Sequence, residues 1–88
     1  MTICRVSSDA ACAMLEDGAV VLHLGTKRYY SLNETGAFIW SMLEKGSHGE
    51  DIVASLVVNY AVDETSAAVA VDRLLRELLA DRLVERAV

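Results

Sequence analysis

The chain has no proline, only two cysteines, and no long apolar run in its 88 residues. Without proline it offers no polyproline ligand, and nothing in its composition reads as a flexible linker. Cys4 and Cys12 lack Cys-x-x-Cys spacing and follow no secretory segment. They read as small buried hydrophobes rather than a disulfide, a redox pair or zinc ligands. His23 and His48 have no second ligand at helical spacing, so no metal is expected. No stretch approaches the ~20 apolar residues that span a bilayer. Met1-Thr2-Ile3-Cys4-Arg5 also lacks the basic-then-apolar layout of a signal peptide. The expectation is a soluble, cytoplasmic chain with no membrane partner.

Basic residues are also scarce. Eight Lys and Arg face thirteen Asp and Glu, for a net charge of −5, and the only tight basic pair is Lys27-Arg28. Nucleic-acid binders draw much of their affinity from a basic face that displaces counterions from phosphate, so no nucleic-acid partner is expected. A neutral or basic peptide or protein suits an acidic surface better.

What is present is an apolar fraction of 53% with 24% charged residues, the composition of a globular chain. Its length fits a single domain over residues 1–88. Hydrophobic periodicity changes character partway along, from strands over about residues 8–32 to helices over about residues 33–82. Ala10 to Leu15 is weakly extended and ends in Glu16-Asp17-Gly18, where Asp-Gly signals a hairpin because glycine accepts the positive φ of a tight turn. Ala19 to Leu24 is a β-branched, apolar central strand. Gly25-Thr26 turns the chain into Lys27 to Leu32, with Tyr30 and Leu32 on one face and Tyr29 and Ser31 on the other. This is a three-stranded antiparallel meander with the third strand at an edge.

Helix punctuation follows. Asn33 caps a first helix through Lys45, ended by Gly46, with Phe38, Ile39, Trp40 and Leu43 as its apolar stripe. Ser47-His48-Gly49-Glu50 matches a capping box opening a second helix that closes near Tyr60. Asp63 caps a third, from about Glu64 to Ala80. Its apolar arc spans roughly 140°, wider than the ~100° of a core-facing stripe. One shoulder, with Ala68, Leu75 and Leu79 beside Asp72 and Arg76, is then left free of the core; a small domain that simply buries a Leu-rich helix remains the alternative.

No catalytic constellation emerges. Gly-x-Ser-x-Gly and phosphate-cradling glycine loops are absent. The carboxylates Glu50-Asp51, Asp63-Glu64, Asp81 and Glu85 stand at helix ends, where capping and solvation account for them. The reading is a binding module, not an enzyme, with no catalytic residue and no cofactor. An edge strand presents unpaired N–H and C=O groups that an extended peptide can complete. Tyr29, Leu75 and Leu79 would form side-chain pockets, and Arg76 and Asp72 would meet charges on the peptide.

The run from Gly25 to Trp40 (Gly-Thr-Lys-Arg-Tyr-Tyr-Ser-Leu-Asn-Glu-Thr-Gly-Ala-Phe-Ile-Trp), followed by Leu43, resembles the signature of the PqqD-like family. Asp51-Ile52-Val53, the Tyr60-x-Val62-Asp63 bridge and Val71-Asp72-x-Leu74-Leu75-x-x-Leu78 extend the likeness over about residues 8–85. One departure is Asp81-Arg82 before Leu83-Val84, where the family usually has glycine.

The resemblance implies an α+β, winged-helix-like domain, three antiparallel strands followed by three helices, known as a RiPP recognition element. Such a domain binds the leader segment of a ribosomally made precursor peptide and delivers it to modifying enzymes. It further implies that the leader adds antiparallel to the third strand, beside the third helix. Carried onto this chain, that places the peptide on Arg28, Tyr29, Tyr30, Ser31 and Leu32, with Ala68, Asp72, Leu75, Arg76 and Leu79 on the helix. The double tyrosine resembles the stand-alone proteins of lasso-peptide biosynthesis, whose partners are a leader peptidase and an ATP-dependent lasso cyclase. The alternatives are a PQQ-type or other RiPP peptide chaperone, and a winged-helix DNA-binding regulator.

Overall fold

The computed structural model describes residues 4–86. Five strands and three helices follow in the order β1 (Cys4–Val6), β2 (Ala10–Leu15), β3 (Gly18–His23), β4 (Tyr29–Asn33), α1 (Glu34–Glu44), α2 (Gly49–Tyr60), α3 (Glu64–Ala80) and β5 (Val84–Arg86). Strands β2, β3 and β4 form the expected antiparallel meander in that spatial order, and three helices follow it. The α+β, winged-helix-like architecture is therefore as read from the sequence. The ribbon formed by β1 and β5 was not, and it joins the two ends of the described chain through Cys4↔Arg86, Arg5↔Glu85 and Val6↔Val84.

The hairpin between β2 and β3 turns at Glu16-Asp17, but Gly18 does not use a positive φ there. Its glycine requirement is steric: a Cβ at Gly18 would stand 2.2 Å from the carbonyl oxygen of Leu32 on the neighbouring β4. In the next turn the left-handed residue is Lys27 (φ 64) rather than Gly25. The buried His23 ring closes that turn, its Nδ1 accepting the N–H groups of Gly25 and Thr26, each at 3.1 Å.

Helix starts and stops follow the expected residues with one exception. Asn33 caps α1 by accepting from the Gly36 N–H at 2.8 Å, and Asp63 caps α3 by accepting from the Ser66 N–H at 3.1 Å. The capping box at Ser47 does not form. The α2 N-cap is His48, without a side-chain hydrogen bond. Ser47 is taken up by the end of α1: its N–H donates to Met42 O at 3.1 Å, and Gly46, at φ +80, donates to Leu43 O at 3.0 Å. Those two bonds make a Schellman stop, which moves Ser47 one residue ahead of the position a capping box requires.

The core lies between the inner face of the meander and the helices. Ala19, Val21 and Leu32 meet Ile39, Trp40 and Leu43 of α1, Ile52 and Leu56 of α2, Val71, Leu75 and Leu78 of α3, and Leu83 and Val84. Each such large side chain stabilises the fold by about 1.5–3 kcal/mol relative to exposure. Cys4 is within this core and Cys12 packs against it, the hydrophobic role expected of both.

Candidate functional site

Strand β4 pairs with β3 on one side and, among the described residues, with nothing on the other. Strand β5 pairs with β1 and not with β4. His23 N–H donates to Arg28 O at 2.8 Å, so the two form a hydrogen-bonded pair at the top of the ladder. Antiparallel pairs alternate between bonded and non-bonded. From Val21↔Tyr30 and Ala19↔Leu32, the peptide groups of Tyr30 and Leu32 are therefore turned to β3, while those of Tyr29 and Ser31 face outward. The open row of donors and acceptors belongs to Tyr29 and Ser31.

Arg28 lies just before β4. Its N–H donates to Thr26 Oγ1 at 3.3 Å, so it contributes no edge donor.

Beside this edge runs a groove of about 240 Å³. Tyr30, Ser31 and Leu32 form its strand wall, Ile39 of α1 closes its end, and Ala70, Arg73, Leu74 and Glu77 of α3 form the facing wall. Tyr30 donates its hydroxyl to the Glu77 carboxylate across it. That hydrogen bond, then burial, then the negative charges of Glu77 and Asp81, push the tyrosine up to about 12 from its ordinary 10.

The expected helix residues stand on the other flank. Successive residues of a helix advance by ~100°. From the buried Val71, Ala70, Arg73, Leu74 and Glu77 fall to one side, and Ala68, Asp72, Leu75, Arg76 and Leu79 to the other. Leu75 is buried in the core, Ala68 and Leu79 pack against it, and Asp72 pairs with Arg76 at 2.9 Å on the exposed surface. Leu79 lines a separate depression with Ser7, His23 and Val84. The strand residues Tyr30, Ser31 and Leu32 are thus brought to the groove, whereas those five helix residues are not. Arg28 and Tyr29 lie at its outer end, near Asp81 and Leu83. The sequence reading missed Ala70, Arg73, Leu74 and Glu77; half-buried Leu74, within the apolar arc, was the available signal.

Among the described residues no three His, Cys, Asp or Glu side chains come together as metal ligands. No helix of the described residues is long and apolar enough to cross a membrane.

A meander whose last strand has one open side, with a groove between that strand and a long helix, defines a domain built to take an added peptide strand. The family model of coenzyme PQQ synthesis protein D (PqqD) matches residues 18–84, and the chain belongs to that family. Among solved structures it is similar to TbiB1 in complex with the TbiA(beta) leader peptide, at 33% identity and a TM-score of 0.89, covering 96% of this chain and 98% of that one. It is also similar to lasso peptide synthetase B1 complexed with the leader peptide, at 25% identity and a TM-score of 0.85, covering 94% of this chain and 98% of that one. No curated protein matches the chain.

Proposed function

We propose that this protein binds the leader segment of a ribosomally synthesised precursor peptide by strand addition to β4, and delivers it to modifying enzymes in lasso-peptide biosynthesis. The observation that carries the reading is the unpaired β4 edge opening into the groove of Tyr30, Leu32, Leu74 and Glu77. Backbone bonds from Tyr29 and Ser31 would set the register of the guest strand, and alternate guest side chains would enter the groove. The two similar structures, both complexes with leader peptides and both aligned over nearly their whole length, support it.

On this reading the chain works in the cytoplasm by binding, as a recognition element and not an enzyme. Its partners are the precursor, a leader peptidase that removes the leader and a cyclase that closes the product. Of the site residues expected from the sequence, Tyr29, Tyr30, Ser31 and Leu32 take the strand side and Arg28 the outer end. On α3 the geometry favours Ala70, Arg73, Leu74 and Glu77 over Ala68, Asp72, Leu75, Arg76 and Leu79.

Calorimetry against the leader of the precursor from the same gene cluster tests the proposal. Micromolar or tighter binding is expected, about −8 kcal/mol. Absence of heat at a hundredfold higher concentration would sink it.

A further inference from the structure

The peptide groove does not share the charge of the chain. The chain as a whole carries a net charge of −5, which favours a neutral or basic partner for its surface at large. Of the residues that line the groove, only Arg73 and Glu77 are charged. They stand one helical turn apart on the same flank of α3, the spacing at which opposite charges commonly pair. They do not pair. The Glu77 carboxylate accepts the Tyr30 hydroxyl instead, and exposed Arg73 makes no ion pair among the described residues. On the other flank of the helix the corresponding pair, Asp72 and Arg76, is closed at 2.9 Å. There the acid comes first, the better order along a helix, whereas Arg73 and Glu77 stand in the poorer one. The groove therefore offers a guest one uncommitted charge, and it is positive.

Where that charge lies along the groove follows from the contacts of β4. Arg28 and Tyr29 lie near Asp81, and the next residue, Tyr30, bonds to Glu77, one turn earlier in α3. As the strand advances the helix steps back, so α3 runs antiparallel to β4. Arg73 then lies beyond Glu77, toward the end of the groove where Asn33 and Thr35 begin α1. One helical turn between Arg73 and Glu77 covers about 6 Å, and two residues of an extended strand cover about 6.7 Å. Alternate guest side chains enter the groove, so Arg73 and Glu77 face successive inward side chains, two positions apart. A guest that continues the antiparallel order of the sheet runs parallel to α3 and meets Arg73 first.

We propose that Arg73 is a specificity-determining residue that takes a carboxylate of the leader, from an aspartate or glutamate placed two positions before the side chain that faces Tyr30 and Glu77. The inference rests on the strand-addition reading above. An acid at the later position would instead face the Glu77 carboxylate and the charge of Asp81, both of which already act on Tyr30. The groove thus reads the order of charge along the guest, which backbone pairing alone cannot do. An exposed ion pair contributes little by itself, but like charges brought together under a bound strand cost more. The discrimination comes mainly from the arrangement that is rejected.

The test is a charge swap read by fluorescence anisotropy. Wild type, Arg73→Gln and Arg73→Glu, each checked for a wild-type melting curve, are titrated against the leader of the precursor from the same gene cluster. The same titrations are run on leaders in which each Asp or Glu in turn is replaced by Lys. Arg73→Gln should bind the native leader about two- to fivefold more weakly, the scale of an exposed ion pair, and Arg73→Glu about tenfold more weakly. Both losses should shrink in 0.5 M salt, where exposed charges are screened. One leader variant should bind wild type weakly and regain its affinity with Arg73→Glu. Moving that acid two positions toward the C-terminus should weaken binding to wild type at least as much as removing it. Equal affinity of all three proteins for the native leader, or the absence of any restored pair, overturns the role of Arg73 and leaves strand addition standing. Failure of the wild-type protein to bind the native leader at all overturns the strand-addition reading and this inference with it.

Discussion

Tyr30 on β4 donates its phenolic hydroxyl to the Glu77 carboxylate on α3, linking residues 47 positions apart across the peptide groove. Only the neutral phenol can make this bond, and the Glu77 hydrogen bond, burial and the nearby negative charges raise its ionisation to about 12. The folded chain therefore holds this proton more tightly than the unfolded chain, in which tyrosine ionises near 10. The resulting stabilisation is complete below the unfolded value and disappears as the pH rises through the folded one. The difference in urea midpoint between wild type and Tyr30→Phe should stay constant up to about pH 10 and shrink towards pH 12. Phenolate absorbance should show a tyrosine titrating at about 12 in the wild type and none there in Tyr30→Phe. A difference that stays flat across the range would mean that the bond contributes nothing to stability.

The outward peptide groups of Tyr29 and Ser31 separate two proline substitutions that look alike in sequence. Ser31→Pro removes an edge donor and spares the β3–β4 ladder, because proline is tolerated on an edge. Tyr30→Pro removes a donor directed at β3 and should open the ladder. The first should keep a cooperative melt while leader affinity falls about tenfold, the cost of an unmade backbone bond that leaves its acceptor unsatisfied. The second should lower the melting temperature whether or not leader is present. Full leader affinity in Ser31→Pro would place the peptide off this edge.

The two flanks of α3 yield a third contrast. Leu74 lines the groove and Arg76 lies on the opposite flank, paired to Asp72 on the exposed surface. Leu74→Asp puts a charge into the helix wall of the groove, where Leu74 is half-buried, and should weaken leader binding at least about tenfold, since burying an unpaired charge is costly. Arg76→Ala removes a surface ion pair worth at most about 0.5 kcal/mol and should leave leader affinity unchanged. The reverse pattern in anisotropy titrations would assign the peptide to the flank of Ala68, Leu75 and Leu79.

That flank marks where sequence reasoning stopped. Local chemistry was readable: Asn33 and Asp63 cap the helices they precede, Gly46 stops α1, and the three meander strands lie within two residues of their expected bounds. The period of α3 identified its apolar arc, but Leu75, expected on the free shoulder, is buried in the core with Ala67, Val71 and Leu78. A stripe has two margins, however, and which one adjoins β4 is decided by how the helix packs on the sheet, not by the helix itself. The β1–β5 ribbon was unreadable for a similar reason. Cys4-Arg5-Val6 and Val84-Glu85-Arg86 are too short to show a period, and each is a strand only because the other end of the chain lies beside it.

The end of α3 carries a local strain that one substitution can relieve. Arg82 holds φ 59, and its N–H donates to Leu79 O at 3.1 Å while Leu83 donates to Leu78 O at 2.9 Å. These are the two bonds of a Schellman stop, and Arg82 occupies the left-handed position that glycine normally takes. A side chain there costs ~1–2 kcal/mol relative to ordinary backbone. Glycine relieves that cost, offset in part by the freedom it restores to the unfolded chain. Arg82 is exposed and makes no ion pair among the described residues, so little else is lost. Arg82→Gly should raise stability by about 0.5–1 kcal/mol in urea denaturation, whereas Arg82→Val should lower it, because a β-branched residue is least able to adopt that conformation. Gly46→Ala, at φ +80 with nothing within 4 Å of the added Cβ, is the mirror control: it should destabilise by about 1 kcal/mol through backbone conformation alone. If Arg82→Gly and Gly46→Ala shifted stability in the same direction, the left-handed backbone at Arg82 would not be a source of strain.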